Sequence, residues 1–473
     1  MSNTKEVWRL IDEKAPAYFE LSDRVWHMPE LNYQEVRSAA EHRAMLESEG
    51  FRVETGVAGL PTAVIGEAGE GGPVIAIMGE YDALPGLSQE AGNATETPVE
   101  KGGNGHGCGH NMLGSASLLA AAAVKDYLAA NGIKGRVRYY GCPAEEGGSA
   151  KGFMVRAGAF DDVDIALCWH PASFSGVNRP FSLACVEIEF TFSGRASHAA
   201  AAPHLGRSAL DAVELMHIGV NYMREHMPST ARVHYAIINA GGIAPNVVQA
   251  TATTRQLIRA ATLGEMWDLV ARVKKIAEGA ALMSETTVSV RQLSGDANLV
   301  GNRPLEEAMH ANLQSLGGPG FDAADHEFAA RFQKTLSPED IASSYARFDL
   351  TPKPGEALSD EIYPLGAGSD TAVGSTDVGT VSWVVPTVQC RTACYAVGTP
   401  GHSWQLVAQG LAPAAHKGLA LAAKAMAGVA SDVLGDPALL KAAQDEFAAF
   451  RSRNPFANPI TDDVEPPLDM AAH

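Results

Sequence analysis

Residues 74–79 (Val-Ile-Ala-Ile-Met-Gly) are apolar at every position, and this run limits the possible folds more than any other. A strand with one wet face alternates apolar and polar residues. One without alternation is buried on both faces, as in a parallel sheet covered by helices above and below. Strand-like runs recur at 136–142 and 164–169, and a helical pattern at 112–131 ends in Asn131-Gly132. Each strand-like run leads into reactive groups: Glu80-Tyr-Asp82, then Pro143-Ala-Glu145-Glu146-Gly-Gly, then His170-Pro171. Ligands of open α/β sheets bind at the carboxyl ends of the strands, so these groups are expected to converge.

Residues 104–111, Asn-Gly-His-Gly-Cys-Gly-His-Asn, put Cys108 and His110 two apart among glycines, just before the helical pattern. A thiolate and an imidazole on one turn suit a borderline divalent metal, and the glycines allow backbone conformations that aim both side chains at one point. A flexible glycine loop with an incidental thiol is the competing explanation, and these eight residues alone do not decide. Glu145-Glu146 offers one carboxylate for a metal and one for a proton, the pairing that metal-assisted hydrolysis requires; a solvated acidic turn is its plain alternative. His170 and His402, the latter in Gly398-Thr-Pro-Gly-His402, would add to a Cys/His/carboxylate set that suits Zn²⁺ or Mn²⁺ better than Mg²⁺ or Ca²⁺; a satisfied buried histidine and a turn histidine are their plain alternatives. Asp82 is a candidate to orient a ligand histidine.

At 473 residues the chain exceeds one ordinary core. Helical patterns at 4–27 and 41–50 precede a strand-like run at 62–66, and 88–107 is a long polar loop of the kind that carries function. From about 183 the order changes: strand-like 184–193, helical 207–226, strand-like 232–240 and 247–260, helical 263–283, strand-like 286–293. That βαββαβ order is a split βαβ unit, inserted because α/β texture resumes with a helix at 304–316. The expected fold class is therefore an α/β/α catalytic sandwich, residues 1–182 and 298–473, interrupted by an α+β, ferredoxin-like unit at 183–297. The stretch 318–375 is mixed and loop-rich, 379–386 reads as a strand, 405–432 as a helix, and the tail from about 455 is expected to pack loosely.

The net charge of −19 argues against nucleic acid, which needs clustered Lys and Arg. No stretch reaches the roughly 18 uninterrupted apolar residues of a membrane span, and the first residues lack a signal-peptide pattern. Six cysteines in so long a chain form no disulfide scaffold, so the reducing cytoplasm is the expected compartment.

In order, Cys108-Gly-His110, Pro-Ala-Glu145-Glu146, Trp-His170-Pro, Ser-Gly-Arg-Ala-Ser-His198 and Gly-Thr-Pro-Gly-His402 resemble the motifs of the aminoacylase/carboxypeptidase metallopeptidase family, in its amidohydrolase branch. The resemblance runs from about residue 20 to 430. Gly-Glu80-Tyr-Asp82-Ala-Leu-Pro, Cys-Gly-His-Asn111 and Ser375-Thr-Asp377 look like the B subunits of p-aminobenzoyl-glutamate hydrolases within it. Asn111 departs from the wider branch, which more often has Asp there and a histidine two residues further on.

The resemblance implies a metallopeptidase-type fold whose inserted unit dimerises and acts as a lid. It implies two divalent metal ions held by Cys108, His110, Glu146, His170 and His402, with Glu145 as the base. His198 would reach a partner's site and stabilise the oxyanion. Asn246 and Arg259 would hold the oxyanion or the substrate carboxylate. The implied reaction is hydrolysis of an N-acyl or N-aroyl amino acid, p-aminobenzoyl-glutamate first among candidates, by a homodimer or a hetero-oligomer with a homologous chain. Other N-acyl amino acids, β-alanyl dipeptides and aromatic amines are alternative substrates. Two readings from other classes stay open: a thiol hydrolase with Cys108 as nucleophile and His110 or His106 as its base, and a non-catalytic partner subunit.

Overall fold

A computed structural model describes residues 3–368 and 374–472. Among the described residues the strands are β1 (Arg52–Thr55), β2 (Val64–Glu70), β3 (Val74–Glu80), β4 (Gly135–Cys142), β5 (Ile165–Ala172), β6 (Ala184–Ser193), β7 (Arg232–Asn239), β8 (Thr251–Ala260), β9 (Thr287–Asp296) and β10 (Thr387–Ala393). The first sheet runs β1-β2-β4-β3-β5-β10. β4, β3, β5 and β10 are mutually parallel, and β1 and β2 are antiparallel additions at one edge.

The uniformly apolar β3 is buried on both faces. Ile75 and Ile77 join Val137, Leu167 and Trp169 under a layer containing helices Asn3–Trp26, His110–Asn131 and Pro413–Gly435. Ala76 and Met78 join Tyr140, Cys142, Ala166 and Cys168 on the opposite side, against Phe153, Met154, Val378 and Val381. The result is an α/β/α sandwich. Helix Pro413–Gly435 is long and apolar enough by composition to cross a membrane, with mean hydropathy 1.3, but 72% of that window is buried inside the fold.

The second sheet, β7-β8-β6-β9, is antiparallel throughout. Helices Ala209–Met223 and Leu263–Ser284 pack on one face, where Val186, Ile188, Phe190 and Phe192 meet Val213, Met216, Val220, Met266 and Val273. β7 is an edge strand with mostly exposed residues.

Several sequence expectations need correction. Residues 379–386 are not a strand: a short helix, Val378–Ser382, precedes β10, which starts only after Pro386. Short apolar runs do not separate buried helix from buried strand, and proline has no N–H for a ladder bond. The helix expected at 405–432 is two, Trp404–Gln409 and Pro413–Gly435, the second starting at its proline.

A further helix, Pro437–Arg453, follows, capped by the Asp436 carboxylate accepting from Ala438 N–H. The stretch 318–375 contains helices Ala323–Gln333 and Pro338–Arg347, each opened by a capping box, Asp322/Asp325 and Ser337/Asp340; its residues 369–373 lie outside the described residues. The tail is not loose where it is described. Ile460 and Val464 are buried in the sheet's second layer, and Asn458 donates to the Gly152 carbonyl.

Candidate metal centre

The carboxyl ends of the parallel strands carry the predicted groups to one place. β3 ends at Glu80, paired in register with Cys142 at the end of β4, and the turn after β4 carries Glu145 and Glu146. His170 lies on β5, and the turn after β10 carries His402. His110 is the first residue of helix His110–Asn131, whose cap Gly109 has φ +82°. A Cβ on Gly109 would lie 2.7 Å from Met112 Cε and 3.1 Å from Pro171 Cγ, so glycine lets the loop pass β5 closely. Ala144, Ser149 and His402 also adopt left-handed φ of 52°, 53° and 57°. Strain of this kind persists where the surroundings over-determine the backbone.

Cys108 Sγ lies 3.2 Å from His170 Nε2. His402 Nε2 is 3.3 Å from Glu146 Oε2, and His110 Nε2 is 3.9 Å from carboxylate oxygens of both Glu145 and Glu146. Among the described residues three donor groups result, with ligand atoms within 4.8 Å of one another: Cys108/His110/His170, Cys108/Glu146/His402 and Glu80/His110/Glu145. His110 Nε2 and Glu146 Oε1 are buried without a hydrogen bond. Unsatisfied buried polar atoms are rare and call for a cause, and a thiol, imidazoles and carboxylates facing one another fit a borderline divalent cation.

Electrostatics favour a cation at the same point. Burial, then the carboxylates of Glu80, Glu146 and Asp377, push Glu145 well above the usual carboxylate range. Burial also raises Glu146, against the pull of His110 and His402. Burial pushes the Cys108 thiol up, and burial with the nearby Arg391 guanidinium holds His170 well below its ordinary value. Against its burial, Asp82 and Cys108 raise His110, but a thiol nucleophile also needs a stabilised thiolate, the reverse of what burial does to Cys108. His106 does not assist, because its Nε2 faces the Val25 carbonyl at 3.0 Å.

Around the donors stands a second ring of polar contacts. The carboxylate of Asp82 meets His110 Nδ1 at 2.8 Å and accepts the Glu146 N–H at 2.9 Å, fixing a ring and a turn together. Burial acts to raise Asp82, but His110 and the Glu146 N–H outweigh it and bring the carboxyl below its usual range. Two further elements lacked a clear sequence signal. Buried Glu35 accepts from Ala144 N–H, Tyr33 N–H and the Thr62 hydroxyl, anchoring the glutamate turn from outside. Lys151, fully buried, donates to Glu80 at 2.6 Å and to Asp377 at 2.7 Å, while Glu80 Oε2 lies 3.2 Å from His110 Nε2.

A cavity of about 700 Å³ opens at the donors, lined among others by Cys108, Glu145, Glu146, His170, His402 and, from the inserted unit, Arg259. His198 and Asn246 do not line it. Both are exposed residues of the inserted unit, where the Ala199 N–H donates to the Asn246 carbonyl and His198 bridges to Val247. Asn111 points away from the donors and donates to Ser22 Oγ on the first helix at 3.0 Å.

The model of peptidase family M20/M25/M40 matches residues 76–339. The chain is 47% identical over 478 residues to a p-aminobenzoyl-glutamate hydrolase subunit of Escherichia coli (strain K12), covering 98% of this chain and 99% of that protein. It is 30% identical to Xaa-Arg dipeptidase of Mus musculus, covering 92% and 90%. A solved Bacillus subtilis structure, described as a dinuclear metal binding peptidase from the M20 family, has the same fold, with TM-score 0.55 at 18% identity over 90% of this chain and 99% of that one. The matched segment begins within β3 and takes in the cysteine–histidine turn, the glutamate turn and the inserted sheet. The chain belongs to peptidase family M20/M25/M40 and is a metal-dependent hydrolase.

Proposed function

We propose that the chain hydrolyses the amide bond of N-aroyl or N-acyl amino acids, with p-aminobenzoyl-glutamate the preferred substrate. Cys108, His110, Glu146, His170 and His402 would hold two divalent cations, Zn²⁺ or Mn²⁺. The observation that carries this reading is that Cys108 Sγ belongs to two donor clusters at once, one with His110 and His170, the other with Glu146 and His402. Cations there supply Lewis acidity to the amide carbonyl and to water.

Glu145 acts as the base. Its buried carboxylate, raised by its acidic neighbours, takes a proton from the attacking water and passes it to the departing amine, so that amide and water become carboxylic acid and amine. Asp82 keeps His110 oriented, and Arg259 holds a substrate carboxylate. The catalytic unit comprises 1–182 and 298–473, with 183–297 as the lid and dimerisation unit.

His198 and Asn246 reach a cavity only in a dimer. The segment carrying Asn246 exposes Ile243 at 102% and Val247 at 46%, and the open edge strand β7 before it exposes Ile237 and Ile238. An exposed apolar patch beside an unpaired strand edge is a ready pairing surface. A homodimer is the primary reading and pairing with a homologous chain the second. Six free cysteines suit a cytoplasmic setting.

The purified chain, loaded with Mn²⁺ or Zn²⁺, is expected to sediment as a dimer. It should release p-aminobenzoate from p-aminobenzoyl-glutamate faster than it cleaves N-acetyl amino acids, β-alanyl dipeptides or Xaa-Arg dipeptides. Ile243→Asp should shift it to monomer and slow turnover. Cleavage of an Xaa-Arg dipeptide without p-aminobenzoate release would overturn the substrate assignment, and a fully active monomer would overturn the roles of His198 and Asn246.

A further inference from the structure

Two cations in the cavity have no part in the hydrolytic step. Arg391 on β10 is paired in register with His170 on β5. Paired residues of parallel neighbours about 4.8 Å apart project from the same face, so the guanidinium stands one strand away from a donor. Arg347 ends the helix Pro338–Arg347 and lines the same cavity as Arg391, Cys108 and Glu145. Among the described residues, no carboxylate forms an ion pair with either.

The acids on the cavity wall are engaged elsewhere. Asp340 caps its own helix through Ser337, Glu187 lies 3.5 Å from Arg255, and Glu145 and Glu146 belong to the donor groups. Asp296 sits with Arg259 on the wall formed by the inserted unit, and its burial pushes it up to about 7. Glu306 does not line this cavity; it lines a neighbouring recess that Arg347 and Arg391 also line, and among the described residues no ion pair joins it to either.

Like charges left together are costly unless an anion joins them. The Arg391 guanidinium already holds that of Arg347 below its ordinary range, and guanidinium forks match carboxylates well. Arg259, on β8, is a separate cation on the opposite, inserted unit. The cavity thus offers one cationic position on each unit, an arrangement suited to a substrate with two carboxylates.

We propose that Arg347 and Arg391 bind a second, side-chain carboxylate and select amides of dicarboxylic amino acids over their neutral counterparts. This rests on the amidohydrolase reading, with Arg259 left for the α-carboxylate. Both arginines are specificity residues and take no part in proton transfer.

The test compares p-aminobenzoyl-glutamate with p-aminobenzoyl-glutamine, which differs by one charged group. Wild type should favour the glutamate compound by about 10- to 100-fold in kcat/KM, the range expected for hydrogen bonds to a charged group. Arg391→Gln and Arg347→Gln should each collapse that ratio chiefly through KM, with metal content and melting temperature retained, and Arg391→Lys should restore part of it. Calorimetric titration with L-glutamate and L-glutamine, which needs no turnover, should show the same arginine-dependent preference.

Ratios unchanged in both glutamine variants would overturn the proposal, as would a wild type indifferent to the two compounds; the amidohydrolase reading survives either result. If wild type cleaves neither amide yet binds glutamate through these arginines, the amidohydrolase reading falls and the arginine site stands. If it neither cleaves nor discriminates, both fall.

Discussion

Glu145→Gln is expected to lower kcat on p-aminobenzoyl-glutamate by about 10²- to 10⁴-fold, the usual worth of a positioned acid–base group, with bound metal unchanged. The amide keeps the shape and polarity of the side chain but cannot take a proton. Glu145 suits the task because burial and the carboxylates of Glu80, Glu146 and Asp377 make it an unusually strong base for a carboxylate. Its neighbour Glu146 lies beside His402 and Cys108 in a donor group. On the proposed reading the adjacent glutamates separate into a proton carrier and a metal-facing group. Elemental analysis beside steady-state kinetics checks this. Loss of metal together with activity would assign Glu145 to ligation, and full activity would remove it from the reaction; either contradicts its role as base.

Lys151→Met is expected to destabilise the fold by about 3–5 kcal/mol, the range for breaking a buried ion pair by deleting one partner. Lys151 has no exposed side-chain surface and holds Glu80 at 2.6 Å and Asp377 at 2.7 Å. Methionine fills the volume but leaves two buried carboxylates without a counter-charge. Adding Glu80→Gln and Asp377→Asn should return a large part of the loss, since what destabilises is the unpaired charge and not the missing amine. Urea unfolding of the single and triple variants measures both effects. A single variant within about 1 kcal/mol of wild type, far short of the cost of an unpaired buried charge, would mean that the triad is protonated to neutrality and that Lys151 does not hold Glu80 beside His110.

The parts of this site legible in the sequence are those tied to backbone periodicity. An unalternating β3, a glycine turn before a helix and reactive groups after each strand are local patterns, and the parallel sheet converts them into proximity. The inserted unit was legible for the same reason, through the order of its elements. Residues acting across the sequence were not.

Lys151 reads as an ordinary helix lysine until Glu80 and Asp377, 71 and 226 positions away, enclose it. Arg391 lies beyond the strand expected at 379–386, and only the register of β10 sets it beside His170. Arg347 lay in a stretch whose two capping boxes, Asp322/Asp325 and Ser337/Asp340, were the available signal for its helix. Asn111 marks the subgroup in sequence, yet its side chain serves helix packing through Ser22. His198 and Asn246 are exposed in the single chain, so the roles proposed for them require a second copy.

The most direct test is to strip the purified chain of metal with a chelator, return Mn²⁺ or Zn²⁺ stepwise, and follow p-aminobenzoate release against metal bound per chain. The stripped chain should be inactive, and activity should return as bound metal approaches two per chain, with Cys108→Ala unable to recover it. Activity that survives complete removal of metal, or that iodoacetamide abolishes in the stripped chain, would contradict the metal centre and return Cys108 to the role of nucleophile.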